Sequence, residues 1–177
     1  MNRRSEQQSI ISAIVVMGVT ACGKSTIAEA IAQRAGGVHI EGDQFHSAAS
    51  IAKMRAGIAL DDADREAWLI ELGELLAEAV AAGQWPVLSC SALKRSYREQ
   101  LRAAVPGLGF VFLDIDREEV ERRIARRQGH FMSRDLVDSQ FDTLQSPTGE
   151  PGVLTVDATL PVAEISCQAV VWWDANR

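Results

Sequence analysis

The sequence contains few cysteines, few aromatic residues and less positive than negative charge. Its three cysteines are far apart in the chain and form no C-x-x-C pair, so neither a disulfide framework nor a zinc site is expected. Reduced thiols are typical of cytoplasmic proteins, and we expect that location. The chain has 18 lysines and arginines against 24 acidic residues and a formal net charge of -6, which argues against general nucleic-acid binding.

Long apolar runs are also missing. None reaches the ~20 residues that a membrane span requires, so we expect no membrane insertion. Two arginines near the N-terminus precede an apolar run that starts at Ile10, which is the order found in secretory signals. However, polar residues separate the two features, and cleavage after the run would remove the loop described next. We therefore expect a polar tail over 1–9 and a single domain over 10–177.

The most informative segment that is present is a glycine-rich loop. It reads Gly-Val-Thr-Ala-Cys-Gly-Lys-Ser and matches the phosphate-binding pattern G-x-x-x-x-G-K-[ST] at every fixed position. A short apolar stretch precedes it and an amphipathic helical pattern follows, which is the context that the motif requires. We therefore predict that nucleotide phosphates bind at Gly18, Val19, Thr20, Ala21, Cys22, Gly23, Lys24, Ser25 and Thr26.

The residues of this loop have different chemical roles. Its glycines let successive backbone N–H groups point at phosphate oxygens. Lys24 brings a positive charge to the β- and γ-phosphates, and the hydroxyl of Ser25 is a ligand for Mg²⁺. Cys22 lies at a helix N-terminus, an environment that activates thiols, so alkylation against which MgATP protects is one hypothesis and an inert, packed thiol is the other.

Apolar runs alternate with helical patterns along the rest of the chain. This alternation predicts an α/β fold in which helices cover both faces of a parallel sheet. The predicted strands cover about 13–18, 37–41, 86–90, 109–114 and 152–156. The predicted helices beyond the one after the loop cover about 63–82, 94–104, 117–128, 133–144 and 161–172.

Asp43 follows the second predicted strand. Ligands bind beyond the carboxyl ends of strands in open α/β sheets, so a carboxylate there can accept a proton from a substrate hydroxyl or hold Mg²⁺ through water. Asp43 is therefore our candidate base. The candidate metal residues are Asp43 and Ser25. The alternative role for Asp43 is a helix cap, and the rival acid is Asp114 at the end of the fourth predicted strand.

Four arginines form two i,i+4 pairs on one predicted helix, at positions 122, 123, 126 and 127. Glutamates one turn earlier can pair with them, so a solvated, salt-bridged face is the alternative for Arg122 and Arg126. Arg123 and Arg127 share the other stripe and are better placed to clamp a transferring phosphate. Gly129 is a candidate hinge for a lid.

Several longer strings resemble the gluconate kinase family, the small phosphate-loop kinases also called thermoresistant gluconokinases. The resemblance covers about residues 13–157 in order, and its most specific strings are Cys-Ser-Ala-Leu-Lys and Gly-His-Phe. The residues that carry it are 17–25, Gly42-Asp43-x-x-His46, Lys53-Met54, Gly57, Leu60-x-Asp62-x-Asp64-Arg65-x-x-Trp68-Leu69, Cys90-Ser91-Ala92-Leu93-Lys94-x-x-Tyr97-Arg98, Gly129-His130-Phe131-Met132 and Ser139-Gln140-Phe141-x-x-Leu144.

The resemblance implies a phosphate-loop kinase fold with a five-stranded parallel sheet in three layers. Nucleoside-monophosphate and shikimate kinases share this fold, and a helical lid is expected at about 122–140. The implied reaction transfers the γ-phosphoryl group of ATP to the 6-hydroxyl of D-gluconate, with Mg²⁺. The expected catalytic residues are Lys24, Asp43, Arg123 and Arg127. The expected substrate residues are Asp43, His46, Arg65, Lys94, Arg98 and His130.

Two alternatives remain open at this stage. One is a kinase of the same fold that acts on another small acid or on a nucleotide, and the other is a nucleotide-binding switch without small-molecule turnover. The chain departs from the family pattern at Ala21, Ser47, Ser50, Ala59 and Gln145. None of these changes removes a phosphate contact, although Ser47 and Ser50 lie beside the expected sugar-acid pocket. The sequence leaves a homodimer open.

Overall fold

The computed structural model describes residues 10–126 and 134–177. Within these ranges strands and helices alternate along the chain. The strands are β1 (Ala13–Met17), β2 (Val38–Glu41), β3 (Pro86–Ser89), β4 (Leu108–Asp114) and β5 (Val153–Asp157). The helices are α1 (Lys24–Ala35), α2 (Ala48–Arg55), α3 (Asp62–Ala81), α4 (Arg95–Ala104), α5 (Arg117–Arg126), α6 (Arg134–Thr143) and α7 (Val162–Asp174).

All five strands are parallel and form one sheet in the order β2-β3-β1-β4-β5. The central strand β1 pairs with β3 and β4, and all of its residues are buried. Alternate residues of β1 belong to different cores: Ile14 lies in one, and Val15 lies in the other. A strand that is apolar on both faces is the expected centre of a sheet covered by helices on both sides.

The helices form two outer layers. Helix α1 contacts α7, and Ile27, Ile31 and Trp173 belong to the core on that face. Helix α3 contacts α4 on the opposite face, where Leu72 and Leu101 are fully buried. The predicted three-layer α/β fold with a five-stranded parallel sheet is confirmed. Among the described residues, none of the helices combines the length and the apolar character that crossing a bilayer demands.

Neither α2 nor the short 3-10 turn Gly42–Phe45 is among the elements predicted from the sequence. Ser50 is the only buried residue of α2, so this helix has no apolar stripe that would reveal it. A polar cap starts it instead, because the hydroxyl of Ser47 accepts a hydrogen bond from the backbone N–H of Ser50 at 3.1 Å. The segment between the predicted second strand and the long helix α3 therefore has more regular structure than its composition indicates.

Candidate active site

The phosphate loop joins β1 to α1, as its motif predicts. Gly18 has φ +147° and Gly23 has φ +101°, which are conformations that other residues rarely adopt. A Cβ atom at Gly18 would also lie 2.9 Å from the sulfur of Cys22 and 3.0 Å from the carbonyl oxygen of Leu113. Both glycines of the pattern are therefore required by the backbone path, independently of any ligand.

Two side chains already contact the loop backbone. The Nζ atom of Lys24 donates a hydrogen bond to the carbonyl oxygen of Val19 at 2.8 Å, so its ammonium group lies over the loop. The backbone N–H of Thr20 donates to Oε1 of Gln140, in α6, at 2.7 Å. Ser25 and Thr26 are exposed in the first turn of α1. Gln140 is absent from the predicted site residues, although it lies in a string that carries the family resemblance.

The thiols at the site are buried. Cys22 is 2% exposed and packs beneath the loop, which favours the inert-thiol alternative over a reactive one. The pKa of the Cys90 thiol is raised to about 12: burial is the main cause and Asp43 adds to the increase, whereas a backbone hydrogen bond at Ala92 and the charges of Lys24 and Arg65 oppose it. All three charged groups therefore lie close enough to the end of β3 to act on the same thiol.

Asp43 lies in the turn that directly follows β2. Its side chain is 72% exposed, so the carboxylate is accessible to a substrate. A Cβ atom on Gly42 would lie 2.4 Å from the carbonyl oxygen of Ser89, which shows how closely the turn is packed against the end of β3. The side chain that caps α2 belongs to Ser47, so the helix-cap alternative for Asp43 is wrong.

Asp114 occupies a different part of the sheet edge. It ends β4, on the other side of β1 from β2, and is paired in register with Asp157 of β5. It lines an open cleft of about 580 Å³ together with Asp116, Asp157 and Thr159. The structure therefore separates the two candidate bases, and only Asp43 lies in the group of charged residues around the end of β3.

Arg123 contacts the backbone carbonyl groups of the phosphate loop. One of its terminal nitrogens donates to the carbonyl oxygens of Cys22 at 3.2 Å and Ala21 at 3.4 Å, and the other donates to that of Ala158 at 2.7 Å. Its Nε donates to Glu119 at 2.9 Å. Arg123 thus braces the loop rather than pointing into open space. Among the other predicted residues of this region, Arg127, Gly129 and His130 lie outside the described residues.

The salt-bridged alternative holds for Arg122, whose guanidinium lies 3.0 Å from Glu119. Arg126 is exposed at the end of α5. Of the predicted lid at about 122–140, the structure describes the end of α5 and the first part of α6 only.

Arg65 and Lys94, two of the predicted substrate residues, approach the same tyrosine. The guanidinium of Arg65 and the ammonium group of Lys94 lie 5.8 and 5.6 Å from the ring centre of Tyr97. Lys94 also donates to Asp62 at 2.6 Å, and the hydroxyl of Tyr97 donates to the same carboxylate. Both hydrogen bonds lower the pKa of Asp62. Within the described structure the hydrogen bonds of Arg65 are limited to its Nε–H, which donates to the carbonyl oxygen of Leu60 at 3.4 Å.

Arg98 must be removed from the predicted substrate residues. Its side chain is 0% exposed, and every one of its five N–H donors is used within the protein. The acceptors are the carboxylate of Glu150, which receives two bonds, and the carbonyl oxygens of Ala92, Leu93 and Gln145. Arg98 therefore fastens the segment after α6 to the end of β3, a structural role that the sequence analysis missed.

A metal cage made of protein side chains alone is not found. The described residues contain no cluster of three or more His, Cys, Asp or Glu side chains that could hold a metal ion. The predicted metal residues, Ser25 and Asp43, offer one hydroxyl and one carboxylate. Such a sparse set of oxygen ligands fits Mg²⁺, which keeps several waters and is usually held together with substrate phosphates.

The fold and the site together define a phosphate-loop small-molecule kinase: a phosphate loop after the central strand β1, an accessible carboxylate after β2 and an arginine-rich helix after β4. A family model described as an AAA domain matches residues 14–151. The gluconokinase of Gluconobacter oxydans (strain 621H) is 46% identical over 143 residues, which are 81% of this chain and 80% of that protein.

Two further relatives agree. The thermoresistant gluconokinase of Escherichia coli (strain K12) is 35% identical over 88% of this chain and 90% of its own length. A crystal structure of a gluconokinase from Sinorhizobium meliloti 1021 superposes with a TM-score of 0.85 at 44% identity and covers 94% of this chain and 93% of that one. The chain belongs to the gluconokinase family. Shikimate kinase from Aquifex aeolicus, at 15% identity and a TM-score of 0.61, shares the fold.

Proposed function

We propose that this protein is a gluconokinase, which transfers the γ-phosphoryl group of ATP to the 6-hydroxyl of D-gluconate to give 6-phospho-D-gluconate and ADP. The observation that carries the proposal is the identity of 46% with a gluconokinase along four fifths of both chains. The phosphate loop and the carboxylate of Asp43 supply the nucleotide site and the acceptor base that such a reaction requires.

The nucleotide phosphates would bind at the backbone N–H groups of the loop and at the N-terminus of α1. Lys24 would exchange its bond to Val19 for the β- and γ-phosphates, because an ammonium group gains more from a phosphate than from a neutral carbonyl. Mg²⁺ would be held by Ser25, with Asp43 as an outer oxygen ligand, and when bound it neutralises charge on the transferred group. Arg123 would keep the loop in its binding conformation through its contacts with the carbonyl oxygens of Ala21 and Cys22, while its bond to Ala158 holds the guanidinium in place.

Asp43 would orient the 6-hydroxyl of gluconate and accept its proton as the phosphoryl group is transferred. Its carboxylate is exposed, and its backbone lies in the 3-10 turn that follows β2. The carboxylate of the substrate would bind near Arg65, whose terminal nitrogens donate to no protein atom in the described structure. Lys94 lies on the same tyrosine and adds positive charge there. Arg127 and His130, which belong to undescribed residues, stay expected contacts.

We propose a cytoplasmic location because all three cysteines are unpaired. Cysteine thiols stay reduced in that compartment. Gluconate is the one partner that we propose. A switch protein would hydrolyse or hold nucleotide without an acceptor, so it is the alternative that the assay below tests.

The decisive experiment is a coupled assay of ADP release with gluconate, shikimate and nucleoside monophosphates as acceptors. We expect rapid release with gluconate and little without it. Lys24→Ala and Asp43→Asn should each lower kcat by roughly a hundred- to a thousandfold, since removal of one transition-state contact costs about 3–4 kcal/mol. Unchanged thermal unfolding would show that the variants are folded. ADP release that does not depend on an acceptor would contradict the proposal.

A further inference from the structure

One side chain of α3 holds both ends of the turn that carries Asp43. The imidazole of His46 stacks on the indole of Trp68, with ring centroids 4.1 Å apart and planes 21° from parallel. The indole N–H of Trp68 donates to the carbonyl oxygen of Gly42 at 2.8 Å. Since Gly42 precedes Asp43 and His46 ends the turn, Trp68 fixes the carboxylate-bearing residue from two sides.

His46 directs one ring nitrogen at the carboxylate. Its Nε2 lies 3.7 Å from Oδ1 of Asp43. This distance is slightly longer than a hydrogen bond, and catalytic hydrogen bonds are often long before substrates bind. The side chain of His46 is 4% exposed and that of Asp43 is 72% exposed. The carboxylate is thus free to rotate toward a ring that stays in place.

The surroundings of His46 favour a proton on Nε2. Its Nδ1 atom is buried and has no hydrogen-bond partner within the described part of the chain, so a proton there would be an unsatisfied donor. Nε2 is the ring nitrogen that faces the carboxylate, whose oxygens accept hydrogen bonds. The tautomer with its proton on Nε2 therefore presents a donor to Asp43.

We propose that His46 is a positioning residue, which aims the carboxylate of Asp43 at the acceptor hydroxyl by donating a hydrogen bond from Nε2. A hydrogen bond from Nε2 orients the carboxylate and leaves its second oxygen available to accept the hydroxyl proton. The inference rests on the proposed function, in which Asp43 is the base. It replaces the expectation that His46 contacts gluconate directly, because the ring is almost completely enclosed.

Three substitutions separate the donor from the ring. His46→Gln places an amide N–H near the position of Nε2 without a ring, and His46→Asn places it near that of Nδ1. His46→Phe keeps the stacking surface on Trp68 without a donor. Since a misplaced catalytic group loses up to about a hundredfold in rate, we expect kcat to fall roughly tenfold or more in the Phe and Asn variants and clearly less in the Gln variant. The KM for ATP should not change. Any other order of the three kcat values would overturn the proposal.

A double-mutant cycle tests whether His46 acts through Asp43. In an Asp43→Asn background, His46→Phe should leave the residual kcat unchanged. A full loss in that background would show an independent role and overturn the inference. If Asp43→Asn itself keeps normal turnover, the base assignment of the proposed function is wrong instead, so the two failures are distinguishable.

A measurement without substrate covers the case in which a variant does not fold. The ¹⁵N resonances of the imidazole in the unliganded protein report the proton position, and the signal of His46 is assigned by its nuclear Overhauser contacts with the ring of Trp68, on which it stacks. We expect a proton on Nε2 at pH 7, with a shifted Nε2 resonance in Asp43→Asn. A ring without a proton on Nε2 or an Nε2 resonance that does not respond would each overturn the proposal.

Discussion

Gln140 and Thr20 connect α6 to the phosphate loop: Oε1 of Gln140 accepts a hydrogen bond from the backbone N–H of Thr20 at 2.7 Å. The two residues are 120 positions apart in sequence. This bond therefore joins the conformation of the phosphate loop to the position of α6.

We expect Gln140→Ala to weaken ATP binding. A single hydrogen bond between neutral groups contributes about 0.5–1.5 kcal/mol, so the KM for ATP should rise roughly two- to tenfold. Gln145→Ala is the matched control, because Oε1 of Gln145 accepts from the backbone N–H of Arg95 at the same 2.7 Å, at the start of α4. A similar rise in both variants would show a general loss of stability and contradict the link to the phosphate loop.

Arg98→Ala should destabilise the protein rather than impair substrate recognition. Removal of one partner of a buried ion pair costs about 3–5 kcal/mol, since the remaining polar groups stay buried and unpaired. We expect a large drop in the urea midpoint and little change in the KM for gluconate of the protein that remains folded. A stable variant with a greatly raised KM for gluconate would return Arg98 to the substrate site.

Glu150 gives the same ion pair a pH dependence. The hydrogen bonds from Arg98 and Arg102 lower the pKa of this carboxylate, whereas its partial burial raises it. A lowered pKa in the folded protein means that the stabilisation is complete above the ordinary pKa of glutamate and disappears as the pH falls through the folded value. Wild type should therefore be more stable than Glu150→Gln at pH 7, and the difference should narrow below about pH 4. A difference that is constant with pH would contradict this account.

The three thiols should differ in reactivity. Cys22 and Cys90 are buried, whereas Cys167 is exposed on α7. We expect a thiol reagent to label one residue quickly without loss of activity, and Cys167→Ser to abolish that labelling. Mass spectrometry of the labelled peptides identifies the residue. Rapid inactivation that MgATP prevents would instead support the alternative hypothesis of a reactive Cys22.

The sequence predicted those parts of the molecule that depend on local patterns. The apolar strands and the stripe of α3 follow a characteristic periodicity, and the phosphate loop has required residues at set positions, so the sequence alone reveals all of them. The role of Arg98 is different, because its partner Glu150 is 52 positions away and lies in an irregular segment. No periodicity records such a contact. The same reason explains why Gln140 and the brace formed by Arg123 were missed or assigned another role.

A comparison of gluconate with glucose as acceptors tests the part of the site that is proposed to bind the substrate carboxylate. Glucose has the same 6-hydroxyl but lacks the carboxylate, so it would leave the terminal nitrogens of Arg65 unpaired in a buried site. A site whose buried polar groups bind the substrate strongly rejects a ligand that leaves those groups unpaired. An apolar pocket rejects a ligand that lacks one apolar group much more weakly. We therefore expect kcat/KM for glucose to be far below that for gluconate.

Arg65→Met should remove most of this preference. Hydrogen bonds to charged groups contribute about 1.5–3 kcal/mol, so kcat/KM for gluconate should fall roughly ten- to a hundredfold while that for glucose changes little. Arg55→Met is the control. It removes an exposed positive charge at the C-terminal end of α2 and so reports the effect of losing a charge in general. Comparable turnover of the two sugars by the unmodified protein, or equal effects of the two substitutions, would show that Arg65 does not bind the substrate carboxylate.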